Sequence, residues 1–140
     1  MHGSVINEIM PKAAWEMLQN EHDAYLIDVR TQEEWQFVGI PDLSSLNRET
    51  VFLSWRLYPT MRINDDFAIL LEERLPDHHA HLLFICKSGA RSTEAAIMML
   101  QHGYKSCYNV TGGFEGDMDK NSHRGIINGW KAAGLPWRQS

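Results

Sequence analysis

Short apolar runs that alternate with helical patterns are the feature of this chain that most constrains its fold. Three such runs occur at residues 24–30 (AYLIDVR), 81–86 (HLLFIC) and 106–110 (SCYNV). Runs of this length, bounded by polar and turn residues, are typical of strands that are buried on both faces of a sheet. Apolar residues at helical spacing separate the runs. Because strands that alternate with helices favour parallel pairing with helical cover, the sequence predicts an α/β domain.

Local signals predict where the first two helices begin. Pro11 suits a first helical turn and predicts a helix over residues 11–20. Thr31 lies three residues before Glu34, which is the spacing of a capping box, and it predicts a short helix directly after the first apolar run.

The rest of the chain is predicted from similar patterns. Asn64 is the expected N-cap of a helix over residues 65–75, with two aspartates in its first turn. Further helices are predicted within residues 92–104 and 123–136. The segment between the second and third helices is expected to contain a strand at residues 50–55 (TVFLSW) and a loop around Pro59.

Length and composition limit the classes of protein that fit. A chain of 140 residues suits one domain, predicted over residues 7–140 with an extension at residues 1–6. The net charge of −5 argues against a nucleic-acid partner. The longest apolar runs are far shorter than the ~20 residues that span a bilayer, so no membrane association is expected. Two cysteines outside any metal-ligand spacing favour reduced thiols and a cytoplasmic protein.

Cys86 stands where the second apolar run meets a helical pattern, in the stretch LLFICKSGARSTEAAIMML. Ligands of open α/β sheets bind at this edge, and the backbone N–H groups of a helix N-terminus favour an anion. Lys87 and Arg91 add positive charge, and Gly89 lets the loop curl so that successive N–H groups point inward. A cysteine in such a setting is favoured as a thiolate nucleophile over a merely buried thiol.

Other reactive residue types have a structural interpretation. Cys107 is expected to be a buried, inert thiol, with a resolving thiol as the alternative. Trp35 and Trp55 are expected in the core rather than at the mouth of a pocket. The histidines of the loop at residues 78–81 are expected to be solvated, so no metal and no cofactor is predicted.

The loop CKSGARS resembles the active-site loop of rhodanese-domain sulfurtransferases. The stretches LIDVRTQEEWQFVGIPD, YNVTGGFEG and NGWKAAGLPW are similar to other parts of that family, in the same order. The resemblance runs from about Ile27 to Trp137. It departs at residues 39–41, where Gly-Ile-Pro replaces the Gly-His-Ile-Pro of many members, so no role is assigned to a histidine there.

This resemblance implies a three-layer α/β/α domain around a mainly parallel five-stranded sheet. It also implies that Cys86 takes a sulfur atom from a small anionic donor such as thiosulfate, becomes a persulfide, and passes the sulfur to cyanide or a thiol. Asp28 and Arg30 are expected to brace the loop. The residues expected to bind the donor and hold the negative charge are Lys87, Ser88, Gly89, Ala90, Arg91 and Ser92.

Three alternatives follow from the same residues. The persulfide of Cys86 is suited equally to a protein sulfur acceptor in tRNA or cofactor thiolation. A cysteine phosphatase is disfavoured, because those loops place five residues between Cys and Arg, whereas four lie between Cys86 and Arg91, and because Ile85 stands where they usually have histidine. A non-catalytic binding module is disfavoured because the cysteine and its cations are present.

Overall fold

A computed structural model describes residues 6–139 of the chain. The strands are β1 (Asn7–Ile9), β2 (Ala24–Asp28), β3 (Ile40–Pro41), β4 (Val51–Phe52), β5 (Arg56–Leu57), β6 (Arg62–Ile63), β7 (His81–Ile85), β8 (Ser106–Val110) and β9 (Trp137–Arg138). The helices are α1 (Pro11–Asn20), α2 (Gln32–Val38), α3 (Phe67–Arg74), α4 (Ala90–Gln101) and α5 (Gly129–Ala132), and one 3₁₀ turn spans Ser44–Leu46.

The central sheet has five strands in the order β1-β8-β7-β2-β4, and every pairing within it is parallel. The three central strands are almost completely buried, which explains why they read as continuous apolar runs in the sequence. In register, Asp28 pairs with Ile85, and Phe84 pairs with Asn109. The carboxyl ends of the three strands therefore lie side by side, and the prediction of an α/β fold with a mainly parallel sheet is confirmed.

Two hydrophobic clusters cover the two faces of this sheet. One joins the sheet to α3 and α4 through Phe67, Leu71, Ala95 and Met99. The other joins it to α1 and α5 and contains Leu18 and Trp130. The molecule therefore has helices on both faces of the sheet, as expected for three α/β/α layers.

The helix boundaries of α1 and α2 agree with the sequence prediction. Pro11 occupies the first turn of α1. The Thr31 hydroxyl accepts a hydrogen bond from the Glu34 N–H, and the Glu34 carboxylate accepts one from the Thr31 N–H, so the capping box is formed.

Other boundaries were predicted wrongly. Asp66, not Asn64, is the N-cap of α3, because the Asn64 side chain and carbonyl close a turn just before the helix. The strand expected at residues 50–55 is reduced to β4, and the loop around Pro59 joins the antiparallel pair β5 and β6. The terminal helix shortens to the four residues of α5, since residues 123–128 follow an irregular path held by backbone contacts.

The amino-terminal part holds one strand that the sequence did not reveal. β1 forms an edge of the sheet beside β8. Ile6, which the sequence assigned to an extension, is partly buried against the core. The remainder of that predicted extension, residues 1–5, lies outside the described residues, and the assignment of residues 7–140 to one domain stays a prediction. Within residues 6–139, the helices are all too short or too polar to cross a bilayer.

Candidate active site

Cys86 directly follows β7 at the carboxyl edge of the sheet, and its side chain is buried. The chain then turns through Lys87, Ser88 and Gly89 before α4 begins at Ala90. This strand-loop-helix order is the one predicted from the sequence. It places a thiol at the sheet edge where open parallel sheets bind ligands, in front of the positive end of a helix of twelve residues.

Two hydrogen-bonding groups contact the sulfur of Cys86. The backbone N–H of Gly89 donates to Sγ at 3.1 Å, and Oγ of Ser92 lies 3.1 Å from the same atom. Gly89 reaches this position with φ of 127°, a conformation that side-chain-bearing residues rarely adopt. The loop therefore brings a donor N–H and a hydroxyl group to one side of a buried thiol.

The segment after β8 packs against the cysteine loop through backbone hydrogen bonds. The N–H of Phe114 donates to the Cys86 carbonyl at 2.7 Å, and the N–H groups of Glu115 and Gly116 donate to the Lys87 carbonyl. A Cβ atom on Gly113 would lie 2.5 Å from the Cys86 carbonyl oxygen. Because that contact is with backbone, only glycine fits at position 113, and the TGG sequence is explained by close packing against the loop.

Asp28 and Arg30 form a fully buried ion pair at the end of β2, with 2.8 Å between Arg30 Nη2 and Asp28 Oδ2. Arg30 also donates to the Gly39 carbonyl, and its guanidinium lies 4.3 Å from the centre of the Phe114 ring. Phe114 in turn bonds to the Cys86 carbonyl. The two residues expected to brace the loop are thus joined to it through Phe114 and make no direct contact with Sγ.

Arg91 differs most from its expected position. Its guanidinium forms a two-point ion pair with Glu34, with N–O distances of 2.6 and 2.8 Å. Burial alone would raise the pKa of Glu34, but hydrogen bonds from Arg91 and Thr31 outweigh it and lower that pKa to about 2. The Arg91 charge is therefore largely balanced by Glu34, whereas the sequence assigned it to an incoming anion.

Lys87, unlike Arg91, is not paired with a carboxylate in the described part of the chain, so its charge can act on an incoming anion. Within residues 6–139, no carboxylate lies within salt-bridge distance of its amine. Lys87 and Arg91 line a cavity of about 390 Å³ together with apolar side chains of α2 and of the β5–β6 hairpin. Ser88 is half-buried beside them and Ala90 is exposed. Thr31, Glu33 and Glu34 line the same cavity, and Lys87 and Arg91 are the two residues of the cysteine loop that reach it.

Asn109 belongs to this site and was missed in the sequence. It lies on β8, is 95% buried, and accepts a hydrogen bond from the Ser92 hydroxyl through Oδ1. Its Nδ2 donates to Glu8 on β1 at 2.8 Å. The available signal was a polar residue two positions after Cys107, on the same face of a buried strand.

The prediction that both tryptophans lie in the core is right for Trp55 and wrong for Trp35, which is half-buried at the surface. Trp55 is buried in the core, as predicted, and donates from its indole N–H to Glu94 at 2.7 Å. Trp35 packs edge-to-face on Phe52 and borders a separate cavity. Cys107 is buried as predicted, and its burial raises its pKa to about 12.

Of the three histidines expected to be solvated, His79 is exposed as predicted, whereas His78 and His81 are half-buried and hydrogen-bonded. His78 bonds to Glu72 at 2.9 Å and stacks on Tyr104. His81 bonds to Ser106 through Nδ1, and one donor atom each of His81, Glu21 and Asp23 lie within 4.8 Å of one another. This group lies at the amino ends of the strands, opposite to Cys86, and is not part of the site.

The chain is similar to known proteins over nearly its whole length. The family model of the rhodanese-like domain matches residues 10–120. The uncharacterized protein RC0915 of Rickettsia conorii is 41% identical over 134 residues, which cover 95% of this chain and 98% of that protein. The thiosulfate sulfurtransferase GlpE of Actinobacillus succinogenes is 30% identical over 129 residues, covering 92% and 87%. The crystal structure of Rv0390 from M. tuberculosis superposes with a TM-score of 0.88 and 46% sequence identity, and the match covers 96% of this chain and 98% of that one.

The three-layer α/β domain, its loop-enclosed cysteine and the match to sulfurtransferases together indicate a sulfurtransferase-like protein. The chain belongs to the rhodanese-like domain family. The resemblance noted in the sequence is thereby confirmed.

Proposed function

We propose that this protein is a sulfurtransferase that moves a sulfane sulfur from thiosulfate to a thiophilic acceptor through a persulfide of Cys86. In the first step the Cys86 thiolate attacks the outer sulfur of thiosulfate, a new S–S bond forms, and sulfite leaves with the electron pair of the broken bond. In the second step cyanide or a thiolate attacks the terminal sulfur of the persulfide and restores the thiolate. No external oxidant or reductant is needed.

The observation that carries this proposal is the arrangement of donors around Sγ. The Gly89 N–H and the Ser92 hydroxyl both lie 3.1 Å from the sulfur, at the positive end of α4. The Gly89 N–H stabilises negative charge on a thiolate or on a persulfide sulfur, and the Ser92 hydroxyl adds to this when its proton is turned to the sulfur. Ser88, Ala90 and Arg91 complete the loop in the proposal, and no cofactor or metal enters the reaction.

We assign attraction of the donor mainly to Lys87. Its amine is free of carboxylate partners among the described residues, whereas Arg91 is paired with Glu34. A dianion such as thiosulfate gains more from one nearby cation than a monoanion such as mercaptopyruvate does. The proposal places the reaction in the cytoplasm, where thiols remain reduced.

The cavity next to the loop has exposed apolar side chains, which favour an organic sulfur acceptor as well as cyanide. Phe37 and Tyr58 line the cavity next to Lys87, and they are 74% and 62% exposed. Exposed aromatic side chains beside the loop that carries the cysteine suit an organic or protein-borne thiol. We therefore keep, as a second candidate, a persulfide carrier that delivers sulfur to a protein partner.

A phosphatase activity is not proposed. Four residues separate Cys86 from Arg91, and the guanidinium is turned to Glu34 rather than over the thiol. The hydrogen-bonding groups that contact Sγ are one N–H and one hydroxyl group, which suits one sulfur atom better than a tetrahedral phosphate. Hydrolysis of p-nitrophenyl phosphate at a rate comparable with sulfur transfer would overturn this choice.

Intact-mass spectrometry tests the proposal directly. After incubation with thiosulfate, the wild-type protein is expected to gain the mass of one sulfur atom, and added cyanide should remove it. Cys86→Ser should gain nothing. Cys107→Ala serves as the matched control and should gain sulfur like wild type, because burial keeps that thiol protonated. Equal gain by Cys86→Ser, or no gain by wild type, would refute the mechanism.

A further inference from the structure

The hydroxyl proton of Ser92 has three acceptors within reach. Oγ of Ser92 lies 2.5 Å from Asn109 Oδ1, 3.1 Å from Cys86 Sγ and 3.2 Å from the Gly89 carbonyl. A hydroxyl group donates one proton and accepts through its lone pairs. Its effect on the sulfur therefore depends on which of these acceptors receives the proton.

The orientation of the Asn109 amide decides this question. Oε1 of Glu8 accepts from Asn109 Nδ2 at 2.8 Å and from the Thr111 hydroxyl at 3.1 Å. An ionised carboxylate only accepts hydrogen bonds, so the NH₂ group of Asn109 must face Glu8 and the oxygen must face Ser92. The Ser92 proton then points to Asn109, in the shortest of its three contacts.

We propose that Asn109, oriented by Glu8, is a positioning residue that directs the Ser92 hydroxyl proton away from Cys86. In this arrangement Ser92 offers Sγ a lone pair, which stabilises the neutral S–H form. A thiolate or persulfide anion receives the Gly89 N–H and gains the Ser92 hydroxyl only when that group rotates away from Asn109. The inference rests on the proposed function only in taking Cys86 as the reacting group.

This arrangement has a consequence for the resting enzyme. Thiolates are oxidised and alkylated far more readily than thiols, so a protonated resting state protects a cysteine whose reactivity is needed only in the presence of a donor. The controlling carboxylate, Glu8, lies on the edge strand β1, 101 positions before Asn109 in sequence.

The test measures the thiol itself and needs no sulfur donor. Asn109→Leu removes the nearer of the two competing acceptors and leaves Sγ at 3.1 Å and the Gly89 carbonyl at 3.2 Å, of which a thiolate is the stronger acceptor. Glu8→Ala lets the amide turn so that it no longer withdraws the proton. Each variant should alkylate at Cys86 with iodoacetamide about tenfold faster at pH 7, because the thiolate gains one charge-assisted hydrogen bond. Thiolate absorbance near 240 nm should rise in parallel. Glu8→Gln keeps an acceptor oxygen for Asn109 and Thr111, and should behave like wild type.

The same substitution made in the Ser92→Ala variant distinguishes a positioning role of Asn109 from a general disturbance of the fold. In Ser92→Ala there is no hydroxyl to direct, so adding Asn109→Leu should leave the alkylation rate unchanged. The same acceleration in that background, or wild-type rates in both single variants, would overturn the inference. If Asn109→Leu does not fold, the comparison of Glu8→Ala with Glu8→Gln decides alone, since Glu8 is exposed. Failure of sulfur loading would leave these rates interpretable, so the two proposals fail separately.

Discussion

Replacing Glu34 by glutamine tests how the loop is tied to α2. The Glu34 carboxylate binds both terminal nitrogens of Arg91 and also closes the capping box with Thr31. Glutamine keeps the shape of the side chain and an acceptor oxygen but removes the charge. The partly buried Arg91 guanidinium then loses its counter-charge, which costs more than an ordinary surface ion pair.

The magnitude follows from the lowered pKa of Glu34. A shift from 4.5 to about 2 corresponds to an upper limit of about 3 kcal/mol, reduced to about 2 kcal/mol for screening by solvent at a side chain that is 20% exposed. Because the pKa is depressed in the folded state, this stabilisation is complete above pH 4.5 and is lost as the pH falls through the folded value. At pH 3 less than about half should remain.

Urea unfolding of wild type and Glu34→Gln at pH 7, 5 and 3 measures this difference. We expect the variant to be less stable by about 2 kcal/mol at pH 7 and by less than about 1 kcal/mol at pH 3. Glu33→Gln is the matched control, because Glu33 lies in the same helical turn but is exposed, and it should change stability by less than about 0.5 kcal/mol. A Glu34→Gln difference that is equal at pH 7 and pH 3 would refute the ion-pair explanation.

Two further predictions concern the opening beside the loop. Lys87→Ala should raise KM for thiosulfate about fivefold and KM for mercaptopyruvate by less. Lys105 is an exposed lysine just before β8, so Lys105→Ala is the control and should change neither KM. An unaltered donor preference in Lys87→Ala would remove Lys87 from the proposal. Phe37→Ser should raise KM for benzyl mercaptan as acceptor about fivefold but leave turnover with cyanide unchanged. Ile69→Ser on α3 replaces another exposed apolar residue and is the control. Equal effects on both acceptors would contradict a role for Phe37 in binding an apolar acceptor.

The parts of the fold that the sequence predicted depend on local physics. The capping box at Thr31 and Glu34 involves residues three apart, and its residues suffice to recognise it. The central strands read as apolar runs because both faces are covered. β1 escaped prediction because three residues at an edge, with one side chain buried, carry almost no periodic signal.

The Arg91 partner was missed because it is a long-range contact. Glu34 and Arg91 are 57 positions apart in sequence. At sequence level both cations of CKSGARS are equivalent candidates for binding an anion. Only the fold shows that α2 presents a carboxylate to Arg91, whereas no carboxylate in the described part of the chain lies within salt-bridge distance of Lys87. The loop residues were thus predictable as a set, but the division of charge within the set was not.

Asn109 is the omission that the sequence itself could have prevented. Strand alternation places Cys107 and Asn109 of SCYNV on the same face, so once Cys107 is assigned to the core, Asn109 must also be buried. A buried amide must find hydrogen-bond partners, and few are available inside an apolar sheet. Because Asn109 pairs in register with Glu8 on one side and with Phe84, two residues before Cys86, on the other, its partners come from β1 and from the cysteine loop. A buried polar residue on the strand next to a reactive cysteine is therefore itself an indication of the network that controls it.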